Sequence, residues 1–310
     1  MSDDRSRRSV PLMGTIITID VPAGEGSTAA VERAFQWFRQ VERCCSRFDP
    51  QSELLHLTRS GKSAVPVSDM LFEAVRFAVG MAEESGGAFD PTIGASMETL
   101  GFNQEYSTKQ VVRTGIEPDS GATYRDVLLD PEGRTITLLR PLVLDLGAVA
   151  KGMAMDLAAR ELQHFGSFSI DAGGDLFMGG RSPSGSPWTV GIRHPRLDGE
   201  LIGVIEVSDS AVCTSGDYER RQGEAPNAEH HILHPQQGKS ARGLASATVV
   251  GPTAMLADAA ATAAFVLGPE EGIRFLVRLE LDGLLISPAL DQFATEGMSR
   301  EYKLGTTAIL

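Results

Sequence analysis

The 310-residue chain is poor in cysteine, with Cys44, Cys45 and Cys213 its full complement. They form no spaced framework, and adjacent Cys44 and Cys45 are badly placed to pair, so a disulfide scaffold is excluded and a reducing compartment is the simplest reading. Positive charge is also short. Against 41 Asp and Glu stand 28 Lys and Arg, a formal charge of -13. Nucleic-acid binding is therefore disfavoured, because it relies on clustered cations displacing counterions. An anionic small molecule is not excluded, since a local metal ion and a few backbone N–H groups outweigh a distant field. Long apolar runs are missing, so no membrane span is expected. The stretch behind Arg5, Arg7 and Arg8 breaks at Thr18 and Asp20 with no signal-type apolar region. Met1 to Ser9 reads as a short polar tail and the chain as cytoplasmic, although a chain trimmed of an export signal would read identically.

Familiar nucleotide and hydrolase motifs are absent too. Gly61-Lys62-Ser63 and Gly238-Lys239-Ser240 resemble phosphate loops, but the glycine required five positions earlier is His56 in one and Leu233 in the other. Gly173-Gly174 and Gly179-Gly180 miss the dinucleotide fingerprint. His230, His231 and His234 are followed by Pro235, with no Glu placed as in a metalloprotease helix. Ser215 lacks the glycine two residues earlier that a nucleophile elbow needs.

What is present is ordinary globular composition, 42% hydrophobic and 22% charged, enough to bury a large core. Val10 to Val21 reads as one strand. Val31, Ala34, Phe35, Phe38, Val41 and Cys45 recur at helical spacing behind a Ser27 or Thr28 cap. A second helix is expected from about Ser68 to Ser85, followed by loop, and Asp130-Pro131-Glu132-Gly133 marks a hairpin. A third helix starts near Ala150. Short strands follow at Ser167 to Asp171, Trp188 to His194, Leu201 to Val207 and Ala245 to Val250, then helices at about Met255 to Phe265 and Glu270 to Arg278. Strands in runs, with helices set apart, predict an α+β fold with largely antiparallel sheets, residues 10–310 forming a single domain or two intimately packed halves.

Asp258 and Thr262 stand four residues apart, hence on one helix face. A carboxylate and a hydroxyl are hard oxygen ligands suited to Mg2+, which often takes only one or two protein side chains beside phosphate and water. The ordered company of this pair is more specific than the pair itself. Met13-Gly14-Thr15, Ser46 with Ser52-Glu53-Leu54, Gly87-Ala88-Phe89-Asp90-Pro91-Thr92, and Asp145-Leu146-Gly147-Ala148 with Lys151-Gly152 come first. Asp171-Ala172-Gly173-Gly174-Asp175, Thr214-Ser215-Gly216-Asp217-Tyr218-Glu219-Arg220, His230-His231-Ile232 with Pro235 and Gly238, and Ala257-Asp258 with Thr262 follow. In this order the blocks, spanning about Met13 to Ile286, resemble the FAD:protein FMN transferases of the ApbE family.

The resemblance implies a T-fold-like α+β architecture and an enzyme of protein flavinylation. Such an enzyme moves FMN from its substrate FAD to a Thr or Ser hydroxyl of a target flavoprotein, with Mg2+ and release of AMP. Carried onto this chain, Asp258, Thr262 and the Ala148 carbonyl would hold Mg2+, with Gly147 permitting the turn that aims the carbonyl. Met13, Ala88, Phe89, Asp90, Asp145 and Lys151 would contact FAD, Lys151 at the start of the third helix where N–H groups favour a diphosphate. Gly173 and Gly174 would let backbone approach the ligand, though a hairpin turn explains two glycines equally. Ile232 would touch the flavin. His231 would be the general base, an imidazole near neutral pKa, with His230 the alternative and Asp217 orienting base or acceptor.

Phe48 occupies a position where bulky aromatics in the family accompany transfer and smaller residues FAD hydrolysis; a core residue ending the first helix is the other reading. His234 and Thr58 depart from the family's Asp and Asn. Ser120-Gly121-Ala122-Thr123 is similar to the family's acceptor stretch, and a turn explains it. A Mg2+-dependent FAD pyrophosphatase and a flavin carrier are the alternative functions.

Overall fold

The computed structural model describes residues 4–105, 108–119, 121–223, 228–301 and 303–304. Met1 to Asp3 of the expected tail, and Ser120, lie outside the described residues. The remaining tail residues are not a tail. β1 (Arg5–Leu12) pairs antiparallel with β2 (Thr15–Pro22), and Met13 and Gly14 make the turn in left-handed conformations, φ 53° and 73°. One expected strand is thus a hairpin. Its first half escaped notice because an edge strand has one unpaired side and can be polar, and Arg5 is anchored to Asp20.

α1 (Ser27–Cys45) buries the predicted face, Val31, Ala34, Phe35, Phe38, Val41 and Cys45. The Ser27 hydroxyl caps nothing and donates to the Gly24 carbonyl at 2.8 Å, the cap position being Gly26. The unforeseen α2 (Glu53–Arg59) is capped by Ser52, whose Oγ accepts the Leu55 N–H at 3.1 Å. A short β3 (Val65–Pro66) precedes α3 (Asp69–Glu84), and α4 (Gly94–Thr99) falls within the stretch expected to be loop. The predicted hairpin is β4 (Val127–Asp130) with β5 (Thr135–Leu138). α5 (Gly147–Leu162) begins three residues before Ala150, so Lys151 sits one turn inside it.

β6 (Ser167–Ala172) and β7 (Asp175–Gly180) form a hairpin, as do β8 (Trp188–Arg193) and β9 (Leu201–Val207). β10 (Ser210–Gly216) is followed by four two-residue strands, β11 (Arg221–Gln222), β12 (Glu229–His230), β13 (Leu233–His234) and β14 (Lys239–Ser240). Then come β15 (Ser246–Gly251), α6 (Ala254–Leu267), α7 (Pro269–Arg278), β16 (Asp282–Ile286), β17 (Gln292–Ala294), α8 (Glu296–Glu301) and β18 (Lys303–Leu304).

The main sheet runs β1-β2-β6-β7-β10-β15-β16-β17, every pairing antiparallel. The architecture is the α+β, largely antiparallel one expected. Strand alternation divides the core. Ile17, Ile170, Cys213 and Val249 face the helices, whereas Met178, Val212 and Leu284 face the β8–β9 hairpin, where Val190, Ile192 and Ile205 meet them. α5 and α6 approach very closely because α6 is rich in alanine and Gly152 has no side chain; a Cβ there would run into the Met255 backbone. Asp156 fixes the crossing, accepting the N–H groups of Ala254 and Met255 at 2.7 and 3.0 Å, and burial pushes its carboxyl up to about 6.

Candidate active site

Two recesses of about 630 and 610 Å³ open beside the N-terminus of α5. Their shared wall includes Arg47, Phe48, Asp145, Lys151, Arg220 and His231. One, the α1 recess, is floored by Val41, Glu42 and Cys45; the other, the α6 recess, by Asp258 and Thr262.

In the α6 recess the helical spacing works as expected. Asp258 is 7% exposed and Thr262 lies one turn on, its hydroxyl 3.2 Å from Ser215 Oγ. Asp258 Oδ2 has no hydrogen-bond partner, although Lys151 Nζ stands 3.0 Å away. Burial raises the Asp258 carboxyl and the Lys151 charge opposes that rise. The ammonium also pairs with buried Asp175, whose other oxygen accepts the Thr214 N–H at 2.9 Å. Ala148, in the first turn of α5, lines the same recess. An orphaned buried carboxylate oxygen with a neighbouring hydroxyl is a donor set that fits a hard divalent cation. Among the described residues no group of three His, Cys, Asp or Glu is placed to hold a metal, so a cation here would draw on backbone and ligand oxygens as well.

Gly147 is present for a different reason from the one expected. It has no left-handed φ; a Cβ would stand 3.0 Å from Asp145 Oδ1, which accepts the Gly147 N–H at 2.8 Å. Asp145 Oδ2 accepts from Arg47 Nε at 2.5 Å. Asp145 thus ties the α5 terminus to Arg47 while lining both recesses. Asp90 is similarly committed: Oδ1 accepts the Thr92 N–H and hydroxyl at 2.9 and 2.7 Å, and Oδ2 the Tyr124 N–H at 3.2 Å. Ala88 and Phe89 line the α6 recess beside it.

Gly173 and Gly174 make the β6–β7 turn at φ 69° and 98° and line the α6 recess. A Cβ on Gly173 would strike Thr15, so turn and close approach are both real. Met13 lies in the α1 recess, its N–H donating to Glu42 Oε1 at 2.8 Å; burial pushes that carboxyl up. Phe48 lies beyond the end of α1, half-buried, facing both recesses rather than ending a core helix, with the Arg47 guanidinium 4.2 Å from its ring centre.

The two histidines separate cleanly. His230 lines neither recess; it is buried, its Nε2 lies 2.8 Å from the Ala241 carbonyl oxygen, and its ring meets Phe265 edge-on. His231 faces both recesses, and its Nδ1, like that of His230, has no hydrogen-bond partner. The near-neutral imidazole expected there is not what the fold provides: burial, reinforced by Arg220, pushes it down to about 3. Ile232 is buried and borders the α6 recess. Asp217 lines neither recess. β10 ends at Gly216 and the chain turns, so Asp217 meets Arg196 in a two-pronged pair at 2.7 and 2.8 Å, and its carboxylate is engaged there rather than with either histidine.

Arg47, Asp175, Ser215 and Arg220 also line the recesses; sequence reasoning weighed Ser215 only as a hydrolase nucleophile and did not single out the other three. Asp175, Ser215 and Arg220 lay within the quoted blocks and Arg47 directly between Ser46 and Phe48; no spacing marked them. Among the departures, the Thr58 hydroxyl donates to the Leu54 carbonyl at 2.8 Å inside α2, and His234 lies in β13.

Comparison with known proteins agrees with this site's ordered blocks. An FAD:protein FMN transferase of Treponema pallidum is 32% identical over 305 residues, covering 91% of this chain and 84% of its own length. One from Vibrio cholerae is 29% identical over 295 residues, covering 92% and 88%. The crystal structure of an ApbE protein from Thermotoga maritima superposes with a TM-score of 0.86 at 27% identity, covering 97% of this chain and all of that one. The ApbE family model matches residues 13–285, and the chain belongs to the ApbE family.

Proposed function

We propose that the protein is a Mg2+-dependent FAD:protein FMN transferase. The observation that carries this is the pair of adjoining recesses, with the orphaned Asp258 oxygen in one and Phe48 in the wall they share. Each recess falls within the roughly 300–1,000 Å³ of small-molecule sites, and a two-lobed space suits a ligand of two halves joined by a diphosphate.

Asp258, Thr262 and the Ala148 carbonyl would hold the cation, which when bound draws charge from the diphosphate oxygens and eases departure of AMP. Lys151 and Arg220, in the shared wall, supply positive charge where the diphosphate would cross. The acceptor hydroxyl attacks the phosphorus of the FMN half; an O–P bond forms, the P–O bond to the AMP phosphate breaks, and the hydroxyl proton passes to His231. A bound diphosphate adds negative charge beside His231, which raises its affinity for that proton from the low value of the ligand-free site.

The test is incubation with FAD, Mg2+ and a target protein bearing an acceptor Thr. An FMN mass increment on the target is expected, lost when the Thr is replaced. Free FMN with no adduct would identify an FAD pyrophosphatase instead.

A further inference from the structure

The α6 recess contains two buried carboxylates, Asp175 and Asp258, and one ammonium, Lys151, between them. The two arms differ. Asp175 is locked, because Oδ1 accepts the Thr214 N–H at 2.9 Å and Oδ2 takes Lys151. Asp258 is held by less, because the Lys151 ammonium, 3.0 Å from its Oδ2 and shared with Asp175, is its charged partner and, among the described residues, no backbone N–H anchors it as Thr214 anchors Asp175.

We propose that Lys151 is the counter-cation of Asp258 in the ligand-free protein, competing with the divalent cation for that carboxylate, and that Asp175 is the positioning residue which retains the ammonium when the cation arrives. This rests on the cation site of the proposed function and deepens it. A buried carboxylate with no cation nearby is costly, so the ammonium lowers the cost of the empty state. An incoming dication takes over Asp258, and Asp175 keeps Lys151 from being lost to solvent. The ammonium then remains at the wall of both recesses, where a diphosphate would lie.

Two substitutions should move metal affinity in opposite directions. Lys151→Met removes the competitor, and Asp175→Asn leaves the ammonium to Asp258 alone. Mn2+, which shares the preference for hard oxygens, is titrated without flavin and the free ion read by electron paramagnetic resonance. Lys151→Met should bind Mn2+ roughly tenfold more tightly than the unsubstituted protein, and Asp175→Asn roughly tenfold more weakly. Unchanged or weaker binding by Lys151→Met overturns the proposal, as does Asp175→Asn that loses thermal stability with Mn2+ affinity unchanged, the signature of a purely structural residue. If circular dichroism shows Lys151→Met unfolded, Lys151→Arg replaces it. A guanidinium grips carboxylates more firmly, so weaker Mn2+ binding is expected and equal or tighter binding overturns the proposal. FAD binding by fluorescence quenching forms a separate arm: its absence from the unsubstituted protein would defeat the transferase function while the Mn2+ result stands.

Discussion

The two recesses meet at one wall but are built from different chemistry. The α6 recess has buried ions, Asp258 and Lys151 among them, on two helices in very close contact, and Lys151 is shared between Asp258 Oδ2 and Asp175. The α1 recess adds to the shared wall Met13, Val41, Cys45 and Phe102, with Glu42 and Arg43 beside them, surfaces that select a shape and a charge pattern. The contrast assigns reaction chemistry to one side and recognition to the other. Substitutions on the two sides should therefore fail in different ways.

The largest effect is expected at Asp258. Asp258→Ala removes the carboxylate around which the cation site is built, so transfer and any FAD hydrolysis should fall together by at least about a thousandfold. Product formation followed by mass spectrometry and by free FMN checks this, and full activity in either assay would sink the metal assignment.

His231 comes next. His231→Gln should slow transfer by about a hundred- to ten-thousandfold, with little change in FAD affinity. The same variant has a pH signature. The folded imidazole is held at about 3 against an ordinary 6.5, so as pH falls through that window the unfolded chain takes up protons first and stability is lost; above 6.5 it is fully present. His231→Gln should flatten melting temperature against pH between those limits, and an unaltered slope would show that His231 is not held neutral.

Arg47 probes the wall. Its guanidinium is 6% exposed, holds Asp145 and the Phe102 carbonyl, and lies over Phe48. Arg47→Ala leaves Asp145 without its cation, costs about 3 kcal/mol of stability, and should weaken FAD binding by loosening the α5 terminus. Denaturant titration measures the first effect and flavin fluorescence the second. Phe48→Ala should act more mildly, shifting product from flavinylated target toward free FMN by a few-fold at near-constant FAD consumption; an unchanged ratio would remove Phe48 from acceptor choice.

The same contrast explains what the sequence made legible. α1 and the Asp258–Thr262 pair follow from one local rule, since residues four apart share a helix face whatever surrounds them. The joining of α6 to Ala148 and Lys151 on α5 is non-local, depending on Gly152 and Asp156 across a helix crossing, and only the resemblance to a family pointed to it. The N-terminal hairpin was hidden for the opposite reason: Arg5 to Ser9 has no apolar alternation, because an edge strand with one solvated side needs none. His231 was found by pattern, yet its depressed pKa was not, since desolvation is a property of the packed surroundings.

Asp217 gives the smallest expected effect and tests the boundary of the site. Its place in the family-like block Thr214 to Arg220 suggests a catalytic role, and continued alternation along β10 would put it on the same side as Ser215, facing Thr262. The strand stops at Gly216, however, and Asp217 turns to Arg196 on the loop after β8. Asp217→Asn keeps the shape, breaks a partly exposed ion pair of about 1 kcal/mol or less, and leaves both recess linings untouched. Transfer rate and FAD affinity should each stay within about threefold of the unsubstituted protein. A loss as deep as that of His231→Gln, with the melting temperature preserved, would place Asp217 back in the reaction and require the turn after β10 to rearrange when substrate binds.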